Sequence, residues 1–222
     1  SYGGFLGKIV DAVSSNLQRA DAEQWTRKIW RKDAALWKSE EEHQKIIKNA
    51  LGWVTVVEQV GAAADDLALF SASIRNAGFT HVMLLGMGGS SLCPEVFRRT
   101  FGKQIGYPEL HVLDSTDPAT VAAFEAKIDL AKTLFIVASK SGSTVEPLMF
   151  YKYFFHRVRE VKGDQAGENF IAITDPGILQ RLELEQCAAA AALARRVGSV
   201  QHQALAAAAH HVAQQTLERL AI

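Results

Sequence analysis

The chain has 222 residues, with 24 Lys+Arg against 24 Asp+Glu, 48% hydrophobic residues and 22% charged residues. That length and apolar share suit one good core with a helical appendage and exclude a disordered chain. The balanced charge excludes a whole-chain basic field for nucleic acid, and the two cysteines, Cys93 and Cys187, form no disulfide framework and suit a reducing cytoplasm.

The chain opens on Ser1, without an initiator Met or a signal-peptide pattern, which fits a processed product or a piece of a longer protein. No run approaches the roughly 18 apolar residues of a membrane-spanning helix. Residues 1–77 read as an N-terminal helical region. Ile46, Ile47, Ala50, Leu51, Val54, Val57 and Val60 recur at helical spacing and predict one buried stripe. Ser39-Glu40-Glu41-Glu42 matches a capping box, so a helix is expected to start near Glu40. Trp25, Trp30, Trp37 and Trp53 are expected to anchor helix packing, the alternative being a surface for a partner chain.

Residues 78–177 change character. Four apolar runs, His81–Leu85, Leu110–Leu113, Leu134–Ala138 and Phe170–Ile173, alternate with helix-like segments. Near-continuous apolar strands separated by helices predict an α/β domain, a parallel sheet covered on both faces. Right-handed crossovers place every strand-to-helix loop along one edge, where such sheets bind ligands. The loops are Gly86-Met87-Gly88-Gly89-Ser90-Ser91, Asp114-Ser115-Thr116-Asp117-Pro118, Ser139-Lys140-Ser141-Gly142-Ser143-Thr144 and Thr174-Asp175-Pro176-Gly177. In the second, Asp117 is placed to cap a helix and Pro118 to open it.

Residues 178–222 form an Ala-rich tail: 12 of the 26 residues from Ala188 to Ala213 are Ala, which favours helix and leaves few large side chains for a core. No catalytic pattern stands in it; His202, His210 and His211 read as solvated helix positions, and Glu183 and Glu185 have no supporting motif.

Two loops carry chemistry. A phosphate monoester needs several donors converging on three oxygens. Helix N-terminal amides supply some, Ser and Thr hydroxyls others, and glycine lets the backbone approach closely. The loop 139–144 offers Ser139, Lys140, Ser141, Gly142, Ser143 and Thr144 directly before a helix, which is what an anion cradle requires. The loop 86–91 offers Gly89 and Ser90 at a second helix start. If strands one and three are neighbours, the two loops face each other. Each loop alone also reads as a plain tight turn. A dinucleotide fingerprint wants Gly where Ser91 stands, although Asp114 imitates its ribose-binding acid, and the Walker A spacing is absent.

Gly86-Met87-Gly88-Gly89-Ser90-Ser91-Leu92 and Ser139-Lys140-Ser141-Gly142-Ser143-Thr144-Val145-Glu146-Pro147 resemble the two phosphosugar signatures of the phosphoglucose isomerase family and its sugar isomerase (SIS) domain. Ile29-Trp30-Arg31-Lys32-Asp33, Leu36-Trp37 and Leu51-Gly52-Trp53 resemble a bacterial branch that includes transaldolase–isomerase fusions. The resemblance covers about residues 20–177, with Cys93 standing where a smaller residue is expected. It implies a three-layer αβα SIS-type sheet, with Gly89 and Ser90 contacting substrate and residues 139–144 holding its phosphate. The implied reaction interconverts glucose 6-phosphate and fructose 6-phosphate through an enediol in the cytoplasm, within glycolysis and gluconeogenesis. The family's catalytic glutamate, arginine, histidine and lysine lie beyond the second signature, and nothing after Pro176 matches their motifs. The catalytic residues are therefore unknown, and the chain is expected to be an inactive N-terminal portion carrying the phosphate grip. Glu146 is expected to pair with a nearby cation. The alternatives are a non-catalytic SIS-domain sensor of phosphosugars and a helical interaction protein built on the tail. A homodimer is implied by the resemblance. No cofactor is implied, and no metal, since the cysteines and seven histidines show no paired ligand spacing.

Overall fold

The structure, a computed structural model, describes residues 7–174. The expected helical tail, with His202, His210 and His211, and the turn residues Asp175, Pro176 and Gly177 lie outside the described residues. The chain forms two compact units, Ser1–Val57 and Glu58–Ile222.

In the first unit, helices α1 (Val10–Ala22), α2 (Trp25–Trp30) and α3 (Glu41–Ala50) are joined by tight turns. Gln24, in the left-handed region at φ 53°, separates α1 from α2. The Asp33 carboxylate accepts from the Ala35 amide at 3.1 Å and starts the 3₁₀ turn Ala34–Leu36. Lys32 Nζ donates to Thr55 Oγ1 at 2.7 Å. Helix α3 begins where expected, but Glu40, not Ser39, is its N-cap and no side chain caps it. Gln44 instead donates to the Lys38 and Ser39 carbonyls, holding the entering backbone.

The single buried stripe is not formed. After Ala50 the chain tightens into the 3₁₀ turn Leu51–Thr55 before α4 (Val56–Ala62). Three residues per turn in place of 3.6 shifts the phase of the pattern. Leu51, Val54 and Val60 are buried, while Ile46 and Val57 are 67% and 72% exposed. Nor do the tryptophans act as packing anchors: Trp30, Trp37 and Trp53 are exposed and Trp25 is half-buried. These short elements present too little facing surface to enclose side chains of that size.

The second unit runs α5 (Ala64–Asn76), β1 (His81–Gly86), α6 (Gly89–Phe101), β2 (Glu109–Leu113), α7 (Pro118–Glu125), β3 (Thr133–Ala138), α8 (Val145–Lys162) and β4 (Phe170–Ile173). The four strands are parallel, in the order β2-β1-β3-β4, and flanked by helices. Each expected strand is present within a residue of its sequence bounds. Alternation along the strands sorts the core. Met83, Leu85, Leu113, Phe135, Val137, Phe170 and Ala172 cluster on one face with Phe150, Tyr151, Phe154 and Val158 of α8, and Val121 and Phe124 of α7 pack against them. Phe135 stacks between Phe154 and Phe170, both at 4.9 Å. Leu84, Val112 and Ala138 occupy the opposite face. Because the β1→β2 connection runs across the sheet in the direction opposite to β2→β3 and β3→β4, the right-handed crossover rule puts α6 on the face opposite α7 and α8.

One buried amide ties the lower rim together. Asn169, fully buried, donates through Nδ2 to the carbonyls of Leu130, Ala131 and Thr133 and accepts from Lys162 Nζ at 2.7 Å. Among the described residues no helix is long and apolar enough to cross a membrane.

Candidate functional site

The order β2-β1-β3-β4 turns back on itself at β1, so the loops after β1 and β3 leave for opposite faces and open a crevice between them. Open parallel sheets bind ligands at such a switch point, outside the carboxyl ends of the strands. Leu85 pairs with Val137 and Gly86 with Ala138, which brings the two phosphosugar-like motifs to the same rim. The condition set by the sequence, that strands one and three be neighbours, is met.

The first loop is built on close approach. A Cβ at Gly86 would lie 3.2 Å from Leu84 Cδ2, 3.3 Å from Ser90 Cβ and 3.4 Å from the Ala138 carbonyl oxygen. A Cβ there would be tighter than ordinary contact with both Ser90 and β3, so glycine suits the end of β1 at this position. Ser91, buried, donates through Oγ to the Gly88 carbonyl at 3.0 Å, and its own amide bonds the same oxygen at 3.1 Å. The Ser91 hydroxyl therefore fastens the turn. Gly89 is exposed and Ser90 half-buried, at the opening of the 13-residue α6, where the helix dipole is positive.

The second loop has more donors, unequally committed. The Ser139 amide bonds the Ile173 carbonyl at 3.0 Å and extends the β3–β4 ladder by one step. Its side chain is different: Ser139 is 3% exposed, and its Oγ is the one buried side-chain polar atom without a hydrogen-bond partner among the described residues. A buried hydroxyl left unpaired costs about 1–3 kcal/mol, and such a group asks for a partner that the described residues do not supply. Gly142 is buried at φ 62°, a conformation that side chains avoid, and its amide closes the turn on the Ser139 carbonyl at 3.4 Å. The Ser141 and Ser143 hydroxyls lie 2.7 Å apart, and the Ser143 amide donates to Ser141 Oγ at 3.2 Å. Both residues, and Lys140, are exposed.

Thr144 is the N-cap of the 18-residue α8, yet its side chain caps nothing. An N-cap hydroxyl accepts from the second or third helical amide; the third helical residue here, Pro147, has none, and the second, the amide of Glu146, is not bonded by the Thr144 side chain. Thr144 Oγ1 and the first-turn amides of Val145 and Glu146 are thereby left for a ligand. Glu146 makes no ion pair among the described residues, so the cation expected beside it is absent there. Cys93 is exposed on α6, and partial burial of its thiol pushes its pKa up, away from thiolate chemistry.

The loop after β2 serves the fold. The Asp117 carboxylate accepts from the Thr120 hydroxyl and amide, both at 2.8 Å, and these bonds hold its pKa below the ordinary value. Pro118 takes the first helical position, as expected. Asp114 is exposed. One contact was not legible in the motifs: Thr174, at the end of β4 and 1% exposed, donates through Oγ1 to the Lys140 carbonyl at 3.3 Å. Its only sequence signal is its place in the fourth strand-to-helix loop.

The rim thus gathers Gly89, Ser90, Ser139, Lys140, Ser141, Gly142, Ser143 and Thr144, two helix N-termini and one orphaned buried hydroxyl. The family model described as phosphoglucose isomerase matches residues 48–176. A glucose-6-phosphate isomerase of Parasynechococcus marenigrum (strain WH8102) is 36% identical over 126 residues, covering 54% of this chain and 22% of the relative. One of Prochlorococcus marinus (strain NATL2A) is 31% identical over 132 residues, covering 55% and 25%. The chain spans about a quarter of the length of these curated relatives. Among solved structures, a hypothetical protein of Thermus thermophilus shares the fold with a TM-score of 0.54 and 23% identity, over 86% of this chain and 40% of that one.

Proposed function

The chain belongs to the phosphoglucose isomerase family, and from that premise we propose that the crevice between the β1 and β3 loops grips the phosphate of a hexose 6-phosphate. In this reading the whole protein is a glucose-6-phosphate isomerase. The observation that carries the proposal is the orphaned hydroxyl of Ser139, buried inside the loop whose other donors face the same rim.

The donors divide the work. The first-turn amides of α8, with Thr144 Oγ1 and Ser139 Oγ, take the phosphate oxygens, and the dipole of α8 adds to the attraction. Ser141 and Ser143, bonded to each other without a ligand, exchange that bond for a charged acceptor. Charge-assisted hydrogen bonds contribute about 1.5–3 kcal/mol each, so three or four dominate the affinity for so small a molecule. Lys140 supplies a positive charge without a fixed geometry. Gly89 and Ser90, opposite, contact the sugar end and keep the crevice narrow.

Proton transfer between C1 and C2 needs a base at the sugar end. The one carboxylate in the two motifs is Glu146, in the first turn of α8 beside the phosphate. The described residues of the crevice therefore bind and orient the sugar phosphate, and the acid–base groups come from elsewhere in the whole protein. The same observation favours the second reading, a phosphosugar-binding module without turnover. Titration calorimetry with fructose 6-phosphate, against fructose as control, tests the grip. Millimolar or tighter binding of the phosphate ester alone is expected, and equal heats for the two sugars would overturn the proposal. A coupled isomerase assay then separates the readings, since turnover by the purified chain would refute the binding module.

A further inference from the structure

We propose that Thr174 is a positioning residue for the phosphate loop, turning one backbone amide of that loop into the crevice. The inference rests on the phosphate reading above. Thr174 is buried to 1% exposure, one residue past β4. Its hydroxyl donates to the Lys140 carbonyl at 3.3 Å, while the Ile173 carbonyl beside it accepts the Ser139 amide at 3.0 Å. Two consecutive residues of the β4 end thus hold two peptide groups at the start of the loop, Ala138–Ser139 and Lys140–Ser141, with one peptide group between them.

The consequence follows from peptide geometry. In a trans peptide the C=O and the following N–H point in opposite directions, and the described chain has no cis peptide. β3 lies between β4 and β1. A Lys140 carbonyl drawn toward β4 therefore sends the Ser141 N–H away from β4, toward the β1 side, where Gly86 and Ser90 close the crevice. Gly142, at φ 62°, gives the adjoining peptides freedom that other residues lack. Without the Thr174 bond, the Lys140–Ser141 peptide is free to rotate and its amide no longer stays aimed at an anion.

The test uses the full chain and three variants, Thr174→Val, Thr174→Ala and Thr174→Ser, with fructose 6-phosphate as the calorimetric probe. Far-UV circular dichroism verifies the folded fraction. Loss of one aimed amide is expected to weaken binding by about five- to tenfold in Thr174→Val and Thr174→Ala, and Thr174→Ser, which keeps the donor, stays within about twofold of the parent. A residue that merely filled space would leave Thr174→Val, its near-isostere, at the parental affinity, and that result overturns the proposal. If Thr174→Val fails to fold, Thr174→Ala against Thr174→Ser decides by the same criterion. Absence of binding by the parent chain would instead strike the phosphate reading itself and take this inference with it.

Discussion

Replacing Ser139 by Ala should move stability and affinity in opposite directions. The hydroxyl is buried and has no hydrogen-bond partner among the described residues, a state that costs about 1–3 kcal/mol. Its oxygen also makes a few dispersion contacts of about 0.1–0.2 kcal/mol each. Removing it should therefore stabilise the empty chain by about 1 kcal/mol. Fructose 6-phosphate would lose one charge-assisted hydrogen bond, about 1.5–3 kcal/mol, which is about 10- to 100-fold in Kd. Urea unfolding in phosphate-free buffer measures the first quantity and calorimetry the second. Circular dichroism is the right probe of unfolding. All four tryptophans lie between Trp25 and Trp53, so their fluorescence reports the first unit and not the sheet. A lowered unfolding midpoint would show that the Ser139 hydroxyl is satisfied in solution, and an unchanged Kd would show that it does not meet the ligand. Either result refutes the reasoning.

Three further outcomes are expected. Phe135→Ala empties the stack between Phe154 and Phe170 and should cost about 3–5 kcal/mol in urea unfolding. Asn169→Ala removes the side-chain donor of the Thr133 carbonyl at a fully buried position and one partner of the Lys162 ammonium, which keeps Glu168 at 3.6 Å. It should cost about 2–3 kcal/mol, with the strand amides of β3 losing hydrogen-exchange protection. At the other end of the sheet, His81 Nδ1 and His111 Nε2 lie 3.1 Å apart. Burial, with the charges of His81, Arg98 and Lys127, holds the His111 pKa below 6.5 against the opposing pull of Glu109. The unfolded chain then binds a proton more readily than the folded one. The contribution of neutral His111 is complete above the unfolded value of 6.5 and is lost progressively below it, as pH falls through the lowered folded-state pKa. The urea midpoint should drop between pH 7.5 and 5.5, and His111→Gln should flatten that dependence.

The strands were legible because burial on both sheet faces demands unbroken apolar runs, and each run is closed by Gly86, Asp114, Ser139 or Thr174, where the chain turns. The Asp117 cap and Pro118 were legible because both act within one turn of helix. The helical region was readable as helix but not in its packing. A 3₁₀ turn of five residues at Leu51–Thr55 displaced the stripe, and nothing in the spacing of apolar residues announces a change in residues per turn. The tryptophans misled for a related reason: side-chain size measures what a residue gains by burial, not whether short helices offer a surface to bury it.

The chemistry of the two rim loops was written in the sequence, since hydroxyls, glycines and a helix start are local properties of a chain. What the chain order could not supply was which strands are neighbours, which hydroxyls are already spent and which carbonyl is held. The pairing of Gly86 with Ala138 brought the loops together. The tertiary structure then assigned Ser91 to the turn, left the Ser139 hydroxyl without a partner among the described residues and tied Thr174 to Lys140. Each depends on hydrogen bonds or close contacts between atoms that only folding makes neighbours, and their geometry is set by the sheet and not by the spacing of letters.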